Sequence, residues 1–500
     1  MKAYIETTIQ VGVMVVIMSV LATSQSLSDF DKKVHEFTLD NGLKFIIVER
    51  HEAPVVSFQT YADVGSVDEV KGITGMAHVF EHMAFKGSKS VGSKDYEKEA
   101  KALTEVDVAF LNLKKELRQG SDPDRLAELE KLYFKAQEEA SKYMIHDEFE
   151  EALVRAGGVG LNASTAPDAT RYVVSLPSNK LELWMLLESD RFLNPVLREF
   201  YKEKNVVMEE RRLRTENSPR GRLFEEFLAL AYKAHPYGEP VVGHMSDIET
   251  MTRREAEEFF TKYYSPANLT IAIVGDVYID EVRSLAQNYF GRIPSRAKPE
   301  PVETVEPPQM GERSVVIKTS AQPSVLIGYH KPSIHHPDEV VFDAISDVLG
   351  VGRMSRLYRS LVVNKKIATR ASAFHGFPGN KYPDLFTFSV VPSRGHTNQE
   401  CIEAIDVEIE RLKTELVSNV ELERAKTRSR ASLIRALSSN RGLARQLTFY
   451  EVVTGDWRNL FRQLDALDQV TPQDIQRVAQ EYFVVTSRTV ATIETQKPKG

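Results

Sequence analysis

The stretch Gly72-Ile-Thr-Gly-Met-Ala-His78-Val-Phe-Glu81-His82-Met-Ala-Phe-Lys-Gly87 decides how this chain is read. Its centre is H-x-x-E-H. In a helix, His78 and His82 stand at i and i+4, so both imidazoles leave one face. Glu81 follows His78 by three residues and precedes His82 by one, which sets its carboxylate beside the pair. Two neutral imidazoles on one face are a common half-site for zinc, which takes nitrogen, sulfur and carboxylate ligands in a tetrahedron. A catalytic zinc keeps one position for water and brings the pKa of that water to about 7. A neighbouring carboxylate can then accept the proton. A polar helix face without chemistry would show the same five residues, so the pattern alone leaves two readings open. Its order is nevertheless the inverse of the H-E-x-x-H zinc-peptidase motif.

The flanks separate the two readings. Gly72 and Gly75 precede the motif, Met83-Ala-Phe-Lys-Gly-Ser88 follows it, and the whole run resembles the active-site helix of the pitrilysin-like (M16) metallopeptidases. A catalytic zinc needs a third protein ligand. On the residues alone that ligand stays open. Glu203 and Glu210 lie two turns apart in Tyr201–Arg212 and share a face, but a charged helix carries solvated carboxylates as well. Glu209 is one residue out of register, and His335-His336 precede Pro337 in an expected loop. The resemblance assigns the roles. In this family the second glutamate of an E-x-x-x-x-x-x-E helix is the ligand, which is Glu210 here, and the first, Glu203, stands behind the ligands. It further implies one Zn2+ per chain, Glu81 as the catalytic base, and peptide contacts at Asn162 and Ala163. The implied activity is zinc endopeptidase, acting on peptides or unfolded polypeptides.

The interval between His82 and Glu210 is longer than the family's, and residues 97–150 account for the excess. Leu103, Val106, Phe110, Leu113 and Leu117 recur at helical spacing, and the pattern resumes from Leu126 after Gly120-Ser-Asp-Pro123. This predicts an antiparallel helical hairpin, with Asp122 as cap and Pro123 in the first turn, packed mainly on its own seam. Elsewhere, Asn41-Gly42 between apolar segments is a hairpin signal, and Val55–Ala62 and residues 162–176 read as strands. Residues 293–312 hold Pro294, Pro299, Pro301, Pro307 and Pro308, a linker composition. Strand and helix signals then recur in similar order without H-x-x-E-H. The predicted fold is α+β in two homologous halves, 30–295 and 313–496 around a linker at 296–312, each with a mixed or antiparallel sheet and helices on one side.

Length and composition bound the alternatives. Five hundred residues exceed one core, and 42% hydrophobic with 27% charged residues is a globular balance. A net charge of −7 without a basic stripe gives no ground for nucleic-acid binding. The single cysteine, Cys401, rules out an intramolecular disulfide and C-x-x-C sites. At the N-terminus the apolar run Val11–Ala22 is short for a membrane span and suits a signal peptide, residues 1–24, cleaved after Ala22-Thr-Ser24 to leave Gln25 first. The mature chain is thus expected to be exported, into a periplasm.

One departure from the family is informative. Its second half usually carries an arginine and a tyrosine seven residues apart that hold the substrate across the chamber. In Ser355–Thr369 those positions hold Val362 and Thr369. Arg359 and Arg370 are the nearby cations. The resemblance is therefore to the two-subunit, processing-peptidase-like type, with a homologous partner that lacks H-x-x-E-H but carries the arginine and tyrosine. A scaffold subunit of the same fold that has lost zinc is the competing class; the intact histidines, Glu81 and Glu210 weigh against it.

Overall fold

The computed structural model describes residues 30–120 and 122–496; the expected signal peptide and its cleavage site lie outside them. Among the described residues, eleven strands form two sheets. β1 (Val34–Thr38) and β2 (Lys44–Glu49) are the hairpin foreseen at Asn41-Gly42. With β3 (Val55–Ala62), β4 (Val159–Ala166), β5 (Ala169–Pro177) and β6 (Leu269–Gly275) they make a sheet of order β1-β2-β6-β3-β5-β4. The second sheet contains β7 (Arg313–Thr319), β8 (Ser324–Lys331), β9 (Ala368–Phe377), β10 (Asp384–Pro392) and β11 (Arg488–Thr495), in order β7-β11-β8-β10-β9. In each sheet one pair is parallel, β2 with β6 and β7 with β11, and the rest are antiparallel. Matching β2, β6, β3, β5 and β4 with β7, β11, β8, β10 and β9 superimposes the two orders. The fold is a duplication, as the faint sequence repeat implied.

Period-two alternation divides each sheet between two cores. Phe45, Ile47, Val56 and Phe58 face the first half's own helices, while Ile46, Val48, Ala272 and Val274 face Leu443, Ala444 and Leu447 on a second-half helix, Asn440–Thr454. The second sheet mirrors this arrangement. Val325, Ile327 and Phe386 pack on their own helices, and Leu326, Leu385 and Ala491 pack on Leu223, Phe227 and Ala231 of a first-half helix, Pro219–Ala231. Each half thus caps the other's open sheet face. Polar ties reinforce the exchange: Asp168 accepts from the Asn380 and Lys381 amides at 2.7 and 3.1 Å, and Lys381 Nζ lies 2.6 Å from Asp63.

The helical hairpin forms, as Tyr96–Gln119 and Pro123–Ser141, with the Asp122 carboxylate accepting from the Asp124 amide at 3.1 Å and Pro123 in the first turn. Its expected self-contained seam is overturned. Ala102, Leu103, Val106, Phe110 and Leu113 enter the main core, and the Phe110 ring lies 4.4 Å from that of Tyr201. Glu99, fully buried, pairs with Arg198 at 2.7 Å. Apolar residues at helical spacing do not say whether they face a sister helix or the body of the protein, and here they face both. Two further differences are local. Residues 162–176, read as one strand, are the β4–β5 hairpin turned at Pro167-Asp168. The helix read to Arg214 ends at Arg211 and continues as a wider turn, Arg212–Glu216.

Candidate metal centre

The histidines stand on the helix Met76–Met83. Met76, Ala77, Val79, Phe80 and Met83 are buried in the core, with Phe80 stacked among Phe259, Phe260 and Tyr264. This packing turns His78, Glu81 and His82 to the other face. The helix entry is fixed tightly. Gly75 has φ +90°, and a Cβ there would lie 2.6 Å from the Val242 carbonyl oxygen, so glycine is required. Glu69 accepts from the Gly75 and Ala77 amides, both at 2.7 Å, satisfying two donors of the first turn. Burial drives the Glu69 carboxyl well above its ordinary range despite these bonds. Asp247 gathers the preceding loop, accepting from the Gly72 amide at 2.9 Å and the Thr74 hydroxyl at 2.8 Å.

The facing helix Phe200–Arg211 brings Glu210 to the pair. Glu210 Oε2 lies 3.5 Å from His78 Nε2 and 3.4 Å from His82 Nε2. Ligands about 2.0–2.1 Å from a tetrahedral zinc stand about 3.4 Å apart, so these spacings fit that ion. The three donor atoms all fall within 4.8 Å of one another, a compact His/His/Glu group among the described residues. The imidazole planes meet at 89°, with ring centroids 5.1 Å apart. Glu81 Oε2 is 4.0 Å from His78 Nε2, beside the group. The second oxygen of Glu210 is engaged by Arg214, which leaves Oε2 aimed at the histidines. Glu209 pairs with Arg212 and is exposed.

Behind the group runs a chain of charges. His82 Nδ1 is 3.4 Å from Glu203 Oε2, and Glu203 Oε1 is 2.8 Å from Lys86 Nζ. Lys86 also lies 3.2 Å from Glu199, whose other oxygen meets His146 Nδ1 at 3.1 Å, just after the hairpin. Donation from Nδ1–H to Glu203 frees the Nε2 lone pair of His82 toward Glu210, the usual orientation of a metal-binding histidine. The hydrogen bond to Glu203 raises the His82 pKa against burial, whereas burial lowers that of His78 despite Glu210 and Glu81. Burial would raise the Glu203 carboxyl, but His82 and Lys86 hold it below its ordinary value.

The other residues singled out in the sequence are spread around this group. Asn162 is exposed and Ala163 is buried on β4, the edge strand of the first sheet, which abuts the histidine helix where the Thr165 hydroxyl donates to the Ala77 carbonyl at 3.4 Å. His335 and His336 lie in the loop before the helix Glu339–Gly350, with His336 facing Asp338. Val362 packs on the second core, and the Thr369 hydroxyl donates to the Val391 carbonyl at 3.2 Å. Arg359 and Arg370 are exposed. Sequence reasoning missed Glu69, Lys86, Glu199 and Asp247. Lys86 alone carried a signal, since it follows His82 by four residues.

The chain matches two family models: "Insulinase (Peptidase family M16)" over residues 44–112 and 129–244, and "Peptidase M16 inactive domain" over residues 250–429. It is 30% identical over 492 residues to the zinc protease PqqE of Helicobacter pylori, covering 97% of this chain and 98% of that protein. It is 24% identical over 363 residues to the mitochondrial-processing peptidase subunit beta of Saccharomyces cerevisiae, covering 69% of this chain and 77% of the relative. A crystal structure of a protease from Helicobacter pylori is similar with TM-score 0.77 and 29% identity, over 92% of this chain and 99% of that one.

Proposed function

The chain belongs to peptidase family M16, and from that premise we propose that it is a zinc-dependent endopeptidase acting on peptides or unfolded polypeptides. One observation carries the reading: Glu210 Oε2 stands at tetrahedral-edge spacing from both His78 Nε2 and His82 Nε2, the three atoms lying within 4.8 Å of one another, with the Glu81 carboxylate beside them. These three side chains would hold the ion, and Glu203 would fix the His82 ring. Bound there, zinc supplies Lewis-acid polarisation of the scissile carbonyl and acidifies water. Glu81 accepts the proton released as water attacks and passes it to the leaving amine. The free edge of β4 takes the peptide as an added strand through its main chain, with Asn162 and Ala163 at the contact, which favours extended chains over folded ones. A scaffold role would need none of this donor set.

The second half offers Val362 and Thr369 where a cation and a phenol would hold the substrate, so we place those groups on a homologous partner chain without H-x-x-E-H. Hydrolysis by the purified chain is then low and rises sharply when such a partner is added. Full activity of the chain alone, undiminished in Arg359→Ala and Arg370→Ala, would overturn the shared site. Export follows from the apolar N-terminal run, and N-terminal sequencing from the native host should find Gln25 first. Among the described residues no helix is long and apolar enough to cross a membrane. Zinc analysis tests the ligand set: Glu210→Ala and His78→Ala should lose the metal and Glu209→Ala should keep it. Full zinc in Glu210→Ala would move the third ligand elsewhere.

A further inference from the structure

β4 ends its sheet, and near its start the ladder to β5 is irregular between Val159 and Asn162. Within that irregularity Gly160 is exposed and has φ +65°. The space a side chain would fill there is taken by a guanidinium from the other half of the molecule: a Cβ on Gly160 would stand 2.5 Å from Arg441 Nη1. Arg441 is the second residue of the helix Asn440–Thr454, which lies on the open face of the first sheet. Its neighbours along this seam are tied down. Arg50 donates to the Leu437 carbonyl at 2.9 Å, and Asn440 donates to the Val55 carbonyl at 3.4 Å. Arg441 itself is exposed and has no carboxylate partner among the described residues. A free cation therefore rests on a bare stretch of the strand to which a peptide is proposed to add.

Direction is set by taking the added peptide antiparallel to β4, the pairing β4 already makes with β5. The histidine helix abuts β4 near Thr165, while Arg441 meets it at Gly160. A peptide paired antiparallel to β4 runs from Thr165 toward Gly160, so its C-terminal side passes under Arg441. Gly160 lies five residues before Thr165, and the irregular ladder takes up one of them, so about 13 Å of strand separates the two. Resting on the peptidase reading above, we propose that Arg441 is a specificity-determining residue that binds a carboxylate of the substrate on the leaving-group side, two to four residues beyond the cleaved bond. An acidic side chain and a peptide's own C-terminal carboxylate offer the same chemistry to its planar fork. The chain's net charge of −7 disfavours acidic peptides overall, so a preference for them needs a local cation.

The test uses zinc-loaded Glu81→Gln protein, to avoid turnover, and three fluorescein-labelled ten-residue unfolded peptides: neutral with an amidated C-terminus, neutral with a free C-terminus, and amidated with a single glutamate near the C-terminal end. Anisotropy should give about tenfold tighter binding for at least one carboxylate-bearing peptide than for the neutral amide, and which of the two gains identifies the source. Arg441→Ala in the same background should erase the difference, and Arg441→Glu should transfer the preference to a lysine-bearing peptide. Equal affinities in the parent protein, or a carboxylate preference that survives Arg441→Ala, would overturn the inference while leaving peptide binding intact. Binding of none of the peptides, by the chain alone or with the homologous partner added, would overturn it together with the strand-addition reading, and zinc content, measured in parallel, reports on the metal site separately.

Discussion

Glu99→Ala tests whether the helical hairpin is part of the body of the protein. Glu99 is fully buried and Arg198 is 2% exposed, and they meet through Nε at 2.7 Å and Nη2 at 3.3 Å. Arg198 also donates to the carbonyls of Lys86, Ser88 and Val91, the segment that leaves the histidine helix. Removing the carboxylate leaves a guanidinium charge in a dry site with only neutral acceptors. Breaking a buried pair in this way costs about 3–5 kcal/mol, against a total stability of about 5–15 kcal/mol for a typical domain. Arg198→Met should cost more than Glu99→Ala, because it leaves the Glu99 carboxylate buried and takes a donor from three carbonyls as well. Urea unfolding followed by tryptophan fluorescence reads the effect, since Trp184 is buried in the core that the hairpin joins. A change below about 1 kcal/mol in Glu99→Ala would refute the reasoning and return the hairpin to a surface appendage.

Three further outcomes follow from the same geometry. Lys86→Met strips Glu203 of its lysine while Glu199 keeps Lys202 at 2.7 Å, and zinc affinity measured against a competing chelator should fall about 10–100-fold; unchanged affinity would show that Glu203 orients His82 unaided. Burial opposes the charge on His375, but Asp343 at 2.9 Å and Glu339 at 3.2 Å outweigh it and raise its pKa from 6.5 to about 10. The folded value lies above the unfolded one, so this stabilisation is complete below pH 6.5 and fades as pH rises toward 10. Thermal melts should show that alkaline loss in the parent and a smaller one in His375→Gln; identical slopes would contradict it. Phe227→Ala removes a first-half side chain from the second sheet's core and should destabilise by about 3–5 kcal/mol in the same urea assay, while a cost under about 1 kcal/mol would mean the halves do not depend on each other.

How much was legible in the sequence depended on how local each signal was. His78, Glu81 and His82 lie within one turn and a half, so helical spacing alone placed them on one face. Glu203 and Glu210 shared a face by the same rule, but the choice between Glu209 and Glu210 required a helix rotation that no spacing supplies; Arg212 draws Glu209 outward. The hairpin's caps at Asp122 and Pro123 were readable because capping is local chemistry. Its docking through Glu99 was not, because a buried glutamate in a first turn looks like an ordinary acidic cap residue. The helix Asn440–Thr454 went unread, since its buried face is set by packing across the two halves, and β9 went unread because it buries small alanines, Ala368, Ala371 and Ala373, that carry little strand signal. The sheet order that exposes the duplication is a long-range property, read from the matching of five strands in each sheet, parallel pairs β2–β6 and β7–β11 included.

The proposed activity needs a proton acceptor standing beside a metal that other residues hold. The most direct measurement is peptide hydrolysis by Glu81→Gln, assayed with the bound zinc of the same preparation and under conditions where the parent chain is active. The amide keeps the size and polarity of the carboxylate but cannot take the proton at neutral pH. One zinc per chain with hydrolysis reduced at least about 100-fold is the expected result. Hydrolysis at the parent rate by zinc-loaded Glu81→Gln would contradict the central claim and put the catalytic base elsewhere.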